Sequence, residues 1–351
     1  MRQSVRRFSV LMASCVSMLT VMASAAAPSK EQPATGAAPV LEDRYPQRRV
    51  AFADGVAGLA DVTYSVLPGF RPLTLDLYVP PRPAPKTIGA PVIIYVHGGG
   101  WMTGHARHSG AFEDWPGVLA SLAARGYVVA SLNYRLSSEA PSPAAEQDVK
   151  AAIRWLRSNA ALYGIDKSRI GIWGGSAGGQ LAALAGTSCG VAALEPVAAA
   201  PAANAPLESD CVQSVVTWYG VFDFQPLATD VATGAAAIRY LGCTATECPP
   251  EKIALASATS YIDRADPPFL LIHGALDKTV APSQSREFHA ALQAAGVKSE
   301  LLIIPGVDHS FIGPNAPTTR AASLQALQKT IEFFDATLAG NTQEGQGAPK
   351  R

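Results

Sequence analysis

A chain of 351 residues, 48% hydrophobic and 16% charged, can bury a large core and fits one large α/β domain better than two small ones. Its 28 basic residues balance 28 acidic ones with no basic cluster, so it lacks the surface that nucleic acid or anionic membrane would require. After the N-terminal segment no run is apolar and long enough to span a bilayer, so stable membrane insertion is not expected.

In chain order, residues 1–27 carry the three parts of a secretory signal. Arg2, Arg6 and Arg7 form the basic region, Phe8 to Met22 the apolar region, and Ala23-Ser24-Ala25 or Ala25-Ala26-Ala27 the small-residue cleavage site. Met12-Ala13-Ser14-Cys15 is a poor lipoprotein box and Arg6-Arg7 a poor twin-arginine signal. Cleavage predicts a periplasmic or secreted protein and leaves the mature chain slightly acidic. It also leaves four cysteines, Cys189, Cys211, Cys243 and Cys248. An even number in an exported chain points to disulfides, with nearest-neighbour pairing preferred among three connectivities. A metal site is not expected, because no CxxC pair and no nearby histidine accompany them.

Residues 28–50, rich in Ala, Pro and charge, read as a flexible leader, and 341–351 as a disordered tail. The folded domain is expected over 51–340. Alternating apolar and polar residues at 61–67 and 73–80, joined by Pro-Gly-Phe-Arg-Pro, predict an antiparallel hairpin. The continuous β-branched run at 91–97 predicts a strand buried on both faces, and 127–135 another. Val149, Ile153, Leu156 and Ala160 recur at helical spacing within 144–163, which Gly164 ends. Four short strands are expected at 170–174, 214–219, 269–273 and 300–305, with helices at 118–125, 283–295 and 318–338. This alternation implies eight strands, mostly parallel, flanked by helices on both faces. The low-complexity stretch 190–210 is expected to be a loop closed by the first disulfide, and 220–266 a small cap.

Ligands of an open parallel sheet sit at the carboxyl ends of its strands. The residues just after each strand are therefore informative: His97-Gly98-Gly99-Gly100-Trp101, then Gly174-Gly175-Ser176-Ala177-Gly178-Gly179, then His273-Gly274-Ala275-Leu276-Asp277, then Gly306-Val307-Asp308-His309. A serine fenced by four glycines between strand and helix implies a sharp turn that holds the serine strained and open.

GxSxG on such a turn, triad order Ser-Asp-His and an upstream HGGG resemble the α/β-hydrolase fold. More closely, HGGGW, YRLSSEAPSPAAEQDV and GGSAGG resemble the hormone-sensitive-lipase-like bacterial carboxylesterases and the related feruloyl-esterase-like branch. One departure is Gly175, where lipase-like members commonly carry an acid. The resemblance implies a serine ester hydrolase working through an acyl-enzyme on a small-molecule or polymer-attached ester, with no cofactor. Ser176 would be the nucleophile, His309 the base and Asp277 the acid that orients it. The amides of Gly99, Gly100 and Ala177 would hold the oxyanion.

Other residues compete for these roles. His97 would brace the oxyanion loop, His105 and His108 lie on a solvated loop, His289 lies inside a helix, and His273 inside the end of its strand. Asp266 precedes its strand, and Asp308 would point away from its neighbour His309. Glu139 and Asp148 would hold loops near the site, while Trp101, Tyr134, Trp218, Tyr219 and Phe222 could line a pocket or simply be core. Amide or formamide hydrolysis on the same fold, and a non-catalytic binding role, are the alternatives. Acyl specificity and oligomeric state are not legible.

Overall fold

The computed structural model describes residues 48–81, 89–196, 207–225, 231–243 and 247–338. The expected signal segment, most of the leader and the tail lie outside them, as do parts of 190–210 and of 220–266.

A single nine-stranded sheet carries the fold. Its strands are β1 (Arg48–Ala51), β2 (Ala57–Ser65), β3 (Leu73–Val79), β4 (Ala90–Val96), β5 (Val128–Leu132), β6 (Ile165–Gly175), β7 (Ser214–Trp218), β8 (Phe269–Gly274) and β9 (Ser299–Ile304). They are ordered β1-β2-β3-β5-β4-β6-β7-β8-β9. The first three and the β3–β5 pair are antiparallel, and every pair from β5 through β4 to β9 is parallel. The sequence pattern predicts eight strands. The ninth, β1, takes the end of the expected leader: Arg48 to Ala51 pair with Ala57 to Ala60 although all four side chains are exposed. Backbone pairing to β2 makes this strand, and no hydrophobic pattern marks it.

The period-two alternation of β4 explains the two core layers. Val92, Ile94 and Val96 face one side and pack with the helices α2 (Ala144–Ser158) and α4 (Ala177–Thr187). Ile93 and Tyr95 face the other and meet α1 (Trp115–Ala124) together with the last long helix, Ala316–Thr337. The helix expected over 144–163 breaks at Asn159 into α2 and the single turn α3 (Ala160–Tyr163), capped by Gly164 in the left-handed region at φ 66°. Helix α4 is buried throughout, and its run of Gly and Ala lets its backbone lie close on β6 and β7. Between β7 and β8 lie α5 (Val231–Leu241) and α6 (Pro250–Ala256); α7 (Ser283–Ala294) and the C-terminal α8 (Ala316–Thr337) complete the layers.

Candidate active site

Ser176 stands between β6 and α4 with φ 56° and ψ −121°. That strained turn is what the glycines permit. A Cβ on Gly178 would overlap the Val96 carbonyl oxygen, so the helix can start this close to β4 only without one. Gly99, at φ +116°, is likewise closed to side chains, because a Cβ would overlap the Thr103 carbonyl. Seven described non-glycine residues have φ in the left-handed region, and four of them, Trp101, Ser176, Tyr219 and Ser310, line one cavity. Strain concentrated in this way marks a site whose geometry the surrounding fold imposes.

The cavity, about 610 Å³, opens at the carboxyl ends of the parallel strands. His309, which comes after β9, bridges two residues from other strand ends. Its Nε2 is 2.9 Å from Ser176 Oγ, and its Nδ1–H donates to Asp277 Oδ2 at 2.7 Å. Asp277 is itself buried. Its Oδ1 accepts the backbone N–H groups of Thr279 at 2.9 Å and Val280 at 2.8 Å. Burial alone would raise the Asp277 carboxyl, but bonds from His273 and His309 outweigh it and hold the group well below the usual carboxylate range. Gly99 and Gly100 line the cavity beside Ser176, and Ala177, the first residue of α4, adjoins it in sequence. Amides at a helix N-terminus carry partial positive charge suited to an oxyanion.

The competing residues fall elsewhere. His97 is buried and pushed down to about 4 by burial; its Nδ1–H donates to Gly98 O at 2.7 Å, and its ring stacks on Tyr134 at 4.3 Å, which braces the glycine loop. His105 and His108 are exposed at the cavity wall, and His289 of α7 bonds Ser299 of β9. Asp266 lies before β8, at the far end of that strand from Asp277. Asp308 turns away from the His309 ring, accepting the backbone N–H groups of Lys278 and His309. Asp148 binds Arg135 and Glu139 binds Arg71, both holding the segment after β5. Of the five aromatic residues, Trp101 and Tyr219 line the cavity, whereas Tyr134, Trp218 and Phe222 are core. Trp101 stacks on Tyr240 of α5 at 4.6 Å and donates its Nε1–H to Gln180 Oε1.

The four cysteines pair as nearest neighbours, Cys189 with Cys211 and Cys243 with Cys248. Among the described residues, one group has metal-ligand proximity, Cys189, Asp210 and Cys211, but the disulfide occupies both sulfurs. Sequence reasoning missed two features. Tyr219 sets its ring edge against His309 at 4.8 Å, and a Cβ on Gly175 would come within 3.1 Å of that same ring. Tyr219 thus crowds a larger residue at 175, and its ring would have to give by a few tenths of an ångström. His273 reaches Asp277 Oδ2 at 3.2 Å; the four-residue spacing in HGALD is the available signal.

Known proteins share this arrangement of elements. The BD-FAE family model matches residues 75–292. Esterase LipQ of Mycobacterium tuberculosis is 34% identical over 274 residues, covering 76% of this chain and 59% of its own length. Esterase LipC of the same organism is 33% identical over 291 residues, covering 81% and 64%. The chain therefore spans less than two thirds of these relatives. A truncated carbohydrate esterase from gut microbiota superposes with a TM-score of 0.64 at 28% identity, covering 82% of this chain and 98% of its own. Esterase 2 of Thermogutta terrifontis gives 0.61 at 25% identity, covering 80% and 94%.

Proposed function

The chain belongs to the BD-FAE family, and from that premise we propose that it is an exported carboxylic-ester hydrolase that works through an acyl-enzyme. The observation that carries this reading is the unbroken hydrogen-bond line Ser176–His309–Asp277 on the cavity wall beside Gly99 and Gly100. A serine hydroxyl is a weak nucleophile, and it gains strength when an adjacent base takes its proton. His309 Nε2 takes that proton as Oγ attacks the ester carbonyl, then delivers it to the departing alkoxide. Asp277 fixes the Nδ1–H tautomer and stabilises the imidazolium. The carbonyl oxygen, now an oxyanion, is received by the amides of Gly99, Gly100 and Ala177. Water, activated by His309 in the same way, then releases the acid and restores Ser176.

The named esterases among its relatives support this activity, and the two disulfides support an oxidising compartment. The cap expected over 220–266 includes α5, which brings Ala236 to the cavity and Tyr240 against Trp101. We place the substrate among small or polymer-attached esters met outside the cytoplasm.

The test uses the wild-type chain and Ser176→Ala with para-nitrophenyl acetate, butyrate and octanoate. Turnover should fall at least about 10⁴-fold in the variant. Esterase 2 of T. terrifontis is phosphorylated by paraoxon; here paraoxon should label the Ser176 peptide alone. Equal hydrolysis by both chains, or a label elsewhere, sinks the assignment. Hydrolysis confined to amide analogues would keep the machinery and change the substrate.

A further inference from the structure

Asp277 is served by two histidines, and only one of them faces Ser176. His273, the penultimate residue of β8, is fully buried, as is the Asp277 side chain. Its Nε2 lies 2.9 Å from Val280 O and 3.2 Å from Asp277 Oδ2. Its Nδ1 lies 2.7 Å from the hydroxyl of Ser285, a buried residue of α7. From this arrangement we infer that His273 is a positioning residue for the acid of the hydrolytic site, acting through Asp277 rather than on substrate; the inference rests on the esterase reading.

The chemistry of the donors leads there. A peptide carbonyl and an ionised carboxylate can only accept, so a nitrogen facing both must carry a hydrogen. His273 therefore carries its hydrogen on Nε2, which bonds Val280 O at 2.9 Å and turns its positive edge to Asp277 Oδ2 at 3.2 Å, while Nδ1 accepts the Ser285 O–H. Asp277 then receives three hydrogen bonds, from Thr279 N–H and Val280 N–H on Oδ1 and from His309 Nδ1–H on Oδ2, and the His273 Nε2–H edge makes a fourth, longer polar contact with Oδ2 at 3.2 Å. Such a carboxylate can neither rotate nor swap its oxygens without breaking several charge-assisted bonds. Without His273, Oδ2 would keep His309 alone among these partners, and the direction in which it holds the imidazole would loosen. The strand supplies the rigidity. His273 is fixed by β8 and tied to α7 through Ser285, so Asp277 inherits the stiffness of the sheet although it sits on a loop.

Two variants separate positioning from mere filling. His273→Phe keeps a flat ring without a donor; His273→Gln offers an amide N–H of similar reach. With para-nitrophenyl butyrate, His273→Phe should lower kcat by about 10- to 100-fold at unchanged KM, the loss expected of a misaimed catalytic group. His273→Gln should recover most of it. Equal kcat per folded molecule in wild type and His273→Phe, with only the melting temperature lowered, would overturn the inference. If both variants fail to fold, NMR of the histidine ring in the wild-type chain decides: a coupling through the hydrogen bond from His273 Nε2 to the Asp277 carboxyl carbon upholds it, and coupling to the Val280 carbonyl carbon alone, or the Nδ1–H tautomer, overturns it. That spectrum is informative even if Ser176→Ala leaves hydrolysis intact, so failure of the esterase reading and failure of the His273 role are told apart.

Discussion

Glu146 offers the sharpest physical test of the fold. It lies in the first turn of α2, wholly buried, and among the described residues neither carboxyl oxygen has a hydrogen-bond partner. Burial pushes it up from 4.5 to about 8, opposed by the Lys150 charge and assisted by Asp210. Below pH 4.5 folded and unfolded chains both hold the proton, and the group adds no pH-dependent cost. Between 4.5 and about 8 the unfolded chain releases the proton while the folded chain keeps it, so stability falls by about 1.4 kcal/mol per pH unit. Above that window both states are ionised, and the penalty levels off at about 5 kcal/mol. Glu146→Gln keeps the shape and removes the charge. Urea unfolding of both chains at pH 5, 6.5 and 8 is the assay, because the difference between them cancels the titrating groups that do not interact with Glu146. The variant should lie within about 1 kcal/mol of wild type at pH 5 and gain steadily as pH rises. A difference that stays flat with pH, or a variant less stable at the alkaline end, would refute the reasoning.

Lys150, also fully buried, donates to Asp210 Oδ2 at 2.5 Å and to Ser188 O at 2.6 Å. Lys150→Met strands Asp210 and should cost about 3 kcal/mol or more in denaturant unfolding, since breaking a buried pair leaves a bare charge; an unchanged midpoint would mean Arg154 compensates fully. The Cys189–Cys211 link closes a separation of 22 residues, so replacing both cysteines by serine should lower stability by about 3 kcal/mol, read the same way. Asp277→Asn should reduce kcat by about 10⁴-fold at nearly constant KM, because an amide can hold His309 in the wrong tautomer; a loss that appears mainly in KM would contradict the role given to the acid.

The parallel half of the sheet is legible because buried strands are continuous apolar runs, and the candidate site residues come soon after those runs. Ser176, Asp277 and His309 follow three separate strand ends, which the sheet register sets side by side. The antiparallel edge was read less well. β2 starts at Ala57 rather than Asp61, through Gly and Ala residues with no periodicity, and β1 is wholly exposed. Tertiary pairing decides such strands, and local pattern does not. The Glu146–Lys150–Asp210 cluster was equally silent, since 60 residues separate Lys150 from Asp210. His273 could be noticed in its motif, but its bond to Asp277 requires the turn at 274–277 to be known.

The contact between position 175 and Tyr219 bears on how such a site can change over generations. The ring that supports His309 crowds the place where a side chain at 175 would begin. A lineage acquiring a carboxylate there needs the aromatic at 219 to give by a few tenths of an ångström, and one that keeps the ring where it stands favours glycine. Each single step then carries a packing cost, and changing both positions together avoids it. A pairwise library over both positions, scored for ester turnover, should show effects at 175 that depend on the residue at 219. Independent effects would show that the ring yields more easily than its packing implies.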